Sequence, residues 1–174
     1  KDIDEMTRML EAYLAFARGD GGEEARPTNL RTLLEEVHEE AQSYGTPIEL
    51  KLRRSKQDLV LPLKRNAFKR AVTNLVSNAV RYGDRIIIRA ATEGNWLRVE
   101  IDDNGPGIPA DLAKDVFEPF VSTKAEGSGL GLSVSKSIAE AQGGSLRLER
   151  NGPRGAAFAL RLPREKRRPR GATA

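Results

Sequence analysis

The sequence predicts an α+β fold: a two-layer sandwich of helices on a mixed, mostly antiparallel sheet, preceded by one bundle-forming helix. Two observations predict this class. Several segments place apolar residues three and four positions apart, as on one face of a helix, whereas others alternate apolar and polar residues, as in a half-buried strand. Two strand segments are also joined by Glu93-Gly94-Asn95, which is typical of an antiparallel hairpin. Together these patterns favour helices that cover one face of a sheet.

The composition is that of one folded domain. The 174 residues are 39% hydrophobic and 31% charged, which argues against a disordered or membrane-spanning chain. The chain has no cysteine and one histidine, His38, so disulfides, thiolate chemistry and multi-histidine metal sites are excluded. All of the net charge of +4 lies in residues 164–174, which we expect to be a basic disordered tail. The neutral remainder argues against a nucleic-acid partner.

The first helix is predicted at residues 1–18. Its apolar residues form a narrow stripe that needs partner helices, as in a bundle; they are Ile3, Met6, Leu10, Tyr13 and Ala17. Residues 19–29 contain three glycines and a proline, and we expect them to be a linker. Because the chain starts at Lys1 without an apolar signal region, we expect it to be a piece of a longer protein.

The main domain is predicted at residues 30–163. Its first helix can be capped by Thr28 or Asn29, and its long second helix stops at Gly83. The predicted elements, in chain order, are a helix at 30–41, strands at 48–52 and 59–61, a helix from Pro62 to Tyr82, strands at 85–92 and 96–103, a short helix at 110–117, a helix at 132–141, and strands at 145–149 and 157–162.

Two asparagines lie on one face of the long helix. Asn74 and Asn78 are four residues apart, so their side chains are one turn apart on the same side. Side-chain amide oxygens are suitable ligands for a hard cation such as magnesium, with water molecules completing the coordination. On the residues alone, a pair of capping or surface asparagines remains the alternative.

Two glycine-containing loops follow. Asp103 stands where a strand ends, ahead of Gly105 and Gly107, so a buried carboxylate there could accept from an exocyclic amine while the glycines let a flat base approach. Residues 127–132, Gly-Ser-Gly-Leu-Gly-Leu, precede a helix, and free amides at a helix N-terminus suit phosphate oxygens. Each loop alone is weak evidence, because the first could be an ordinary turn and the second lacks the preceding strand of a dinucleotide or P-loop site.

The order of these motifs resembles one family. The Asn78 helix, the loop Asp-Asn-Gly-Pro-Gly-Ile, the segment Phe-Glu-Pro-Phe and the run Gly-Ser-Gly-Leu-Gly-Leu-Ser are similar to the N, G1, F and G2 boxes of sensor histidine kinases. These boxes belong to the ATP-binding domain, which has the Bergerat or GHKL fold. The resemblance covers residues 30–163. Residues 1–18 are similar to the second helix of the family's dimerisation and phosphoacceptor hairpin.

The resemblance implies a site for ATP and Mg²⁺. Asn78 would hold the metal, and Asp103 would bind the adenine amino group. Asn74 and Lys124 would act on the phosphates as catalytic residues, and residues 109–127 would form a mobile lid. The implied nucleotide-binding residues are Asn74, Asn78, Arg81, Tyr82, Asp103, Gly105, Gly107, Ile108, Phe117, Phe120, Lys124, Gly127, Ser128, Gly129, Leu130, Gly131 and Leu132.

The resemblance also implies a reaction and partners. The γ-phosphoryl group of Mg-ATP would pass to a histidine on a hairpin largely absent from this chain, and then to an aspartate of a response regulator. The parent protein would be a homodimer anchored in the inner membrane, with this part in the cytoplasm. His38 lacks the nearby downstream proline of the family's acceptor. We therefore expect no phosphoacceptor in this chain and no autophosphorylation.

Two alternatives belong to other functional classes. ATPases and anti-sigma-type serine kinases of the same fold resemble one another in carrying a glutamate where this chain has Asn74, as a general base for water or a hydroxyl. Asparagine cannot take that proton, which favours transfer to an imidazole, because a neutral ring nitrogen is already nucleophilic. A degenerate module that only docks partners is the non-enzyme alternative, and the intact motifs argue against it.

Overall fold

The computed structural model describes residues 22–52, 59–118 and 131–164, together with residues 3, 4, 6, 7 and 10. These five N-terminal residues are helical, and the side chains of Ile3, Met6 and Leu10 are exposed. The rest of the helix predicted at residues 1–18 and the tail from residue 165 onward lie outside the described residues. Within the described residues, no helix combines the length and apolarity needed to cross a membrane.

The main elements are those of a sheet flanked by helices. In chain order they are β1 (Arg26–Asn29), α1 (Leu30–Ala41), a 3-10 turn (Gln42–Tyr44), β2 (Ile48–Leu52), β3 (Val60–Leu63), α2 (Arg65–Tyr82), β4 (Ile86–Glu93), β5 (Trp96–Asp103), α3 (Ala110–Ala113), α4 (Gly131–Ala141), β6 (Ser145–Gly152) and β7 (Gly155–Pro163). Five strands form a sheet in the order β2-β4-β5-β7-β6, and β1 pairs with β3 in a second sheet. Of the described strand pairs, β2 with β4 is parallel and the others are antiparallel. The predicted mixed, mostly antiparallel sheet is confirmed.

One face of the large sheet and the helices enclose the core. Alternate residues of the central strands point into it, as expected for a half-buried sheet; they are Ile86, Ile88, Leu97, Val99, Ile101, Phe158, Leu160 and Leu162. They pack in one cluster with the apolar faces of α1 and α2. The opposite face carries ion pairs, such as Arg89 Nη1 to Asp102 Oδ2 at 3.0 Å. The two-layer sandwich predicted from the sequence is confirmed.

The structure corrects the prediction for the region before the long helix. The helix begins at Arg65 rather than Pro62, because residues 60–63 are a strand paired with residues 26–29. The pairing aligns Pro62 with Pro27, and it buries Leu61 and Leu63. Strand β1 therefore lies within the segment predicted to be a linker. Four-residue strands are too short to show a reliable alternation of apolar and polar residues. Their pairing also spans more than thirty positions of the chain, so local sequence patterns do not indicate it.

Smaller differences concern the second half of the chain. The short helix predicted at 110–117 ends at Ala113 and continues as turns. Strands β6 and β7 are longer than predicted, and they meet at a turn beside Gly155. Arg164, the first residue of the predicted tail, donates from its backbone N–H to the carbonyl oxygen of Asn95 at 2.9 Å. This residue is therefore fixed to the β4–β5 turn.

A distant carboxylate caps the long helix. The residue before α2, Lys64, makes no side-chain cap. Instead, Glu23 accepts through Oε2 from the backbone N–H of Asn66 at 2.9 Å, and through Oε1 from that of Ala67 at 3.0 Å. A negative charge at a helix N-terminus also interacts favourably with the helix dipole. The helix that carries Asn74 and Asn78 is thus stabilised by a residue from the segment ahead of β1.

We predict that Glu23→Ala lowers the free energy of unfolding by about 1 kcal/mol, because two backbone donors lose their partner. Urea unfolding measures this change, and Glu24→Ala is the matched control because Glu24 is adjacent and exposed. Equal stability of the two variants would show that the contact contributes nothing.

Candidate functional site

Helix α2 presents its asparagines beside the start of α4. The buried side of α2 includes Leu75 and Val76, whereas Asn74 and Asn78 are half-buried at its edge. The side-chain Nδ2 of Asn74 donates to the carbonyl oxygen of Gly131 at 3.4 Å. Because Gly131 is the first residue of α4, the structure brings the asparagine helix and the end of the glycine-rich loop together.

A buried hydroxyl fixes α4 against α2. The side chain of Ser135 is fully buried, and its Oγ donates to the carbonyl oxygen of Ala71 at 2.9 Å. Val134 and Ile138 pack against the same small residue of α2. The close approach of the two helices therefore sets the position of Gly131 relative to Asn74.

Asp103 lies at the opposite end of the site, where β5 ends. It is 5% exposed, and its Oδ1 accepts from the backbone N–H of Gly105 at 2.9 Å. Burial raises the pKa of the Asp103 carboxyl above its ordinary value, against the lowering effect of backbone hydrogen bonds from Gly105 and Ala156. A buried carboxylate with a raised pKa is a candidate for recognition of a ligand donor group.

The two glycines after Asp103 are required by contacts with the protein's own backbone. A Cβ atom at Gly105 would lie 2.2 Å from the carbonyl oxygen of Tyr82. At Gly107, which has φ of +79°, a Cβ atom would lie 2.3 Å from the carbonyl oxygen of Gly152. Both positions therefore exclude any side chain. Their additional role in making room for a base stays a prediction.

Three further predicted residues pack against the core around the site: Ile108, Phe117 and Leu132. The ring of Phe117 meets the ring of Phe158 edge to face, with the centroids 5.9 Å apart. The Nζ of Lys136, on α4, lies 5.2 Å from the centroid of the same ring. Phe117 thus fixes the chain after α3 to both the sheet and α4.

The structure describes two of the remaining predicted residues, Arg81 and Tyr82. Arg81 and Tyr82 form the last turn of α2, and the carbonyl oxygen of Tyr82 lies beside Gly105. The other predicted residues lie outside the described part of the chain: Phe120, Lys124, Gly127, Ser128, Gly129 and Leu130. Their roles stay predictions, as does the lid. His38 lies elsewhere, on α1, with its Nε2 at 2.7 Å from the carbonyl oxygen of Ile48.

Two asparagines at the site were missed by sequence reasoning. Asn104 Oδ1 accepts from the backbone N–H groups of Asp84 and Arg85, at 2.8 and 2.9 Å, which joins the end of α2 to the loop after β5. The side chain of Asn151 pairs with the backbone of Ile108. Asn104 stands inside the Asp-Asn-Gly motif and could have been considered, but nothing in the sequence relates position 151 to position 108.

Comparison with known proteins finds relatives that match most of this chain. Residues 63–166 match the family model described as histidine kinase-, DNA gyrase B-, and HSP90-like ATPase. The sensor histidine kinase GtrS of Pseudomonas aeruginosa is 30% identical over 167 residues, which cover 94% of this chain and 34% of that protein. The chain thus spans well under half of the length of this relative.

Two solved structures are similar in fold. The catalytic domain of histidine kinase ThkA has a TM-score of 0.71 and 29% identity, and the match covers 82% of this chain and 97% of that one. Full-length ShkA, in complex with AMPPNP, has a TM-score of 0.77 and 25% identity, covering 92% of this chain and 36% of that one. The chain therefore belongs to the family of histidine kinase-, DNA gyrase B- and HSP90-like ATPases, as the counterpart of the ATP-binding catalytic domain of its sensor histidine kinases.

Proposed function

We propose that this chain binds Mg-ATP and transfers the γ-phosphoryl group to a histidine of a phosphoacceptor hairpin, whose second helix would include residues 1–18. An aspartate of a response regulator would then receive the group. One observation carries the proposal: α2 links both ends of the site. Its last turn touches Gly105, and eight residues earlier Asn74 meets Gly131. At a rise of about 1.5 Å per residue, the two ends are about 12 Å apart along the helix.

The base would bind at Asp103. The carboxylate is buried and lies at the end of a central strand, so its position is fixed by the sheet. The exocyclic amine of adenine is a donor that an ionised carboxylate can accept, whereas guanine presents a carbonyl oxygen at the equivalent position. This difference supports adenine as the base.

The phosphates and the metal would bind between Asn78 and the start of α4. The described residues include no group of three acidic or histidine side chains able to hold a metal ion. An amide oxygen of Asn78 fits a magnesium ion that takes its other ligands from phosphates and water, as Mg²⁺ commonly does. When bound, the ion would neutralise charge on the phosphates.

The reaction requires positioning rather than covalent chemistry on this domain. An imidazole nitrogen of the hairpin would form a bond to the γ-phosphorus while the bond to the β,γ-bridging oxygen breaks, and ADP leaves with that electron pair. The imidazole proton passes to water. Asn74 is not a base, so the described site offers no group at this position to activate water or a hydroxyl. The parent would act as a homodimer at the inner membrane, with this domain in the cytoplasm.

We predict that Asp103→Asn weakens ADP binding by about 1–3 kcal/mol, because a donor would then face the adenine amine. Calorimetric titration measures the loss. Asp102→Asn is the matched control, because Asp102 is the next residue on the strand and points to the other face, where it pairs with Arg89. Equal affinity of the two variants would remove Asp103 from the site.

The same variant also tests the ionisation of Asp103. Because burial raises the pKa of this carboxyl in the folded state, the folded protein binds the proton more tightly than the unfolded chain. The contribution of this carboxyl to stability is therefore greatest below pH of about 4 and is lost as pH rises through the folded-state pKa. Urea unfolding across this range measures the free energy of unfolding of both proteins. The value for the wild type should fall relative to that of Asp103→Asn as the pH rises. Parallel stability curves would contradict the assignment.

We predict that Asn78→Ala removes the magnesium-dependent part of ATP affinity and preserves ADP binding without metal, because the base end is unchanged. Titrations with and without Mg²⁺ measure both quantities. Asn66→Ala is a suitable control, since it makes the same change on an exposed turn of the same helix. A magnesium dependence retained in Asn78→Ala would exclude this residue as the ligand.

We predict that the chain binds ATP without phosphorylating itself. His38 is directed at the carbonyl oxygen of Ile48 on β2 and belongs to a helix packed on the core, whereas in-line transfer needs a nitrogen at about 3–3.5 Å from the phosphorus. Incubation with labelled Mg-ATP should leave no acid-labile phosphate on the chain. Acid-labile label that disappears in His38→Gln would make His38 the acceptor.

A further inference from the structure

The loop that follows Asp103 is held by the last residues of β6, to which the sequence assigned no function. The side chain of Asn151, near the end of β6, accepts through Oδ1 from the backbone N–H of Ile108 at 2.7 Å. The same side chain donates through Nδ2 to the carbonyl oxygen of Ile108 at 2.7 Å. One amide group therefore holds both backbone polar groups of one residue, across 43 positions of the chain.

The backbones of the two segments also meet directly. A Cβ atom at Gly107 would lie 2.3 Å from the carbonyl oxygen of Gly152 and 2.8 Å from Oδ1 of Asn151. On the other side, a Cβ atom at Gly155 would lie 1.9 Å from the carbonyl oxygen of Asp103. The residues on either side of the β6–β7 turn thus approach the end of β5 at Asp103 and the following loop at Gly107.

We propose that Asn151 is a positioning residue for nucleotide binding, which sets the place of Gly107 and Ile108 relative to Asp103. This inference rests on the proposed function and extends it. Asn151 is exposed, so water can replace its bonds when they are lost. Its effect is therefore on the local order of the loop and not on the stability of the whole domain.

The chemistry of the pair explains why an amide is needed. Asparagine has an acceptor and a donor in one plane, which match the N–H and C=O groups of Ile108. Asn151→Asp keeps the shape and the acceptor but places a negative oxygen against the Ile108 carbonyl. Asn151→Ala removes both bonds without adding repulsion. The aspartate variant should therefore be the more severe of the two.

The test is the affinity for ADP and for GDP, measured without metal so that metal binding at Asn78 does not contribute. We expect ADP affinity to fall about three- to tenfold in Asn151→Ala, and by more in Asn151→Asp, as lost hydrogen bonds imply. The preference for ADP over GDP should narrow, because the loop beside Asp103 is loosened. Asn95→Ala is the control: Asn95 is an exposed asparagine in the β4–β5 turn, at the other end of β5.

Two measurements separate positioning from general destabilisation. The unfolding temperature of the nucleotide-free variants should stay close to that of the wild type, and hydrogen exchange of the Ile108 amide should accelerate. A proportional loss of ADP and GDP affinity with a lowered unfolding temperature would show a structural role only and overturn the inference. Wild-type affinity and preference in both variants would also overturn it while leaving the proposed function intact. A wild-type chain that binds no adenine nucleotide would overturn both.

Discussion

The proposed site depends on direct backbone contact between the C-terminal end of α2 and the loop that follows β5. The carbonyl oxygen of Tyr82 lies where a side chain of Gly105 would be, and a Cβ atom at Gly83 would lie 3.0 Å from the Cβ atom of Asp103. No side chain can separate the two segments. The helix that carries Asn74 is consequently fixed relative to the buried carboxylate, so the same packing sets the position of both ends of the proposed site.

Burial of Asp103, which we propose binds the adenine amine, lowers the stability of the ligand-free fold. Removing a carboxylate from water is unfavourable, which is why its pKa is raised, and the backbone donors of Gly105 and Ala156 offset part of that cost. A ligand amine would supply a further partner in the same low-dielectric surroundings. Such a group is therefore expected to bind a specific donor and to contribute little to the stability of the ligand-free fold.

The sequence predicts what depends on local pattern, and it misses what depends on contacts between distant segments. The apolar periods of α1 and α2, the hairpin around Gly94 and the spacing of Asn74 and Asn78 are all local, and the structure agrees with them. The cap of α2 by Glu23 and the pairing of Asn151 with Ile108 each join residues more than forty positions apart. No periodicity or turn preference encodes such contacts, because their partners are selected by the folded sheet.

The central claim is that one ligand spans the buried carboxylate and the asparagine face of α2. An amide proton–nitrogen NMR spectrum, titrated with Mg-ADP, tests this most directly. The account predicts that the backbone amides of Gly105 and Gly107 and the side-chain amide of Asn78 shift together over the same ligand range, while the amide of Gly94 does not move. Shifts confined to one end of α2, or absent from all three residues, would contradict it.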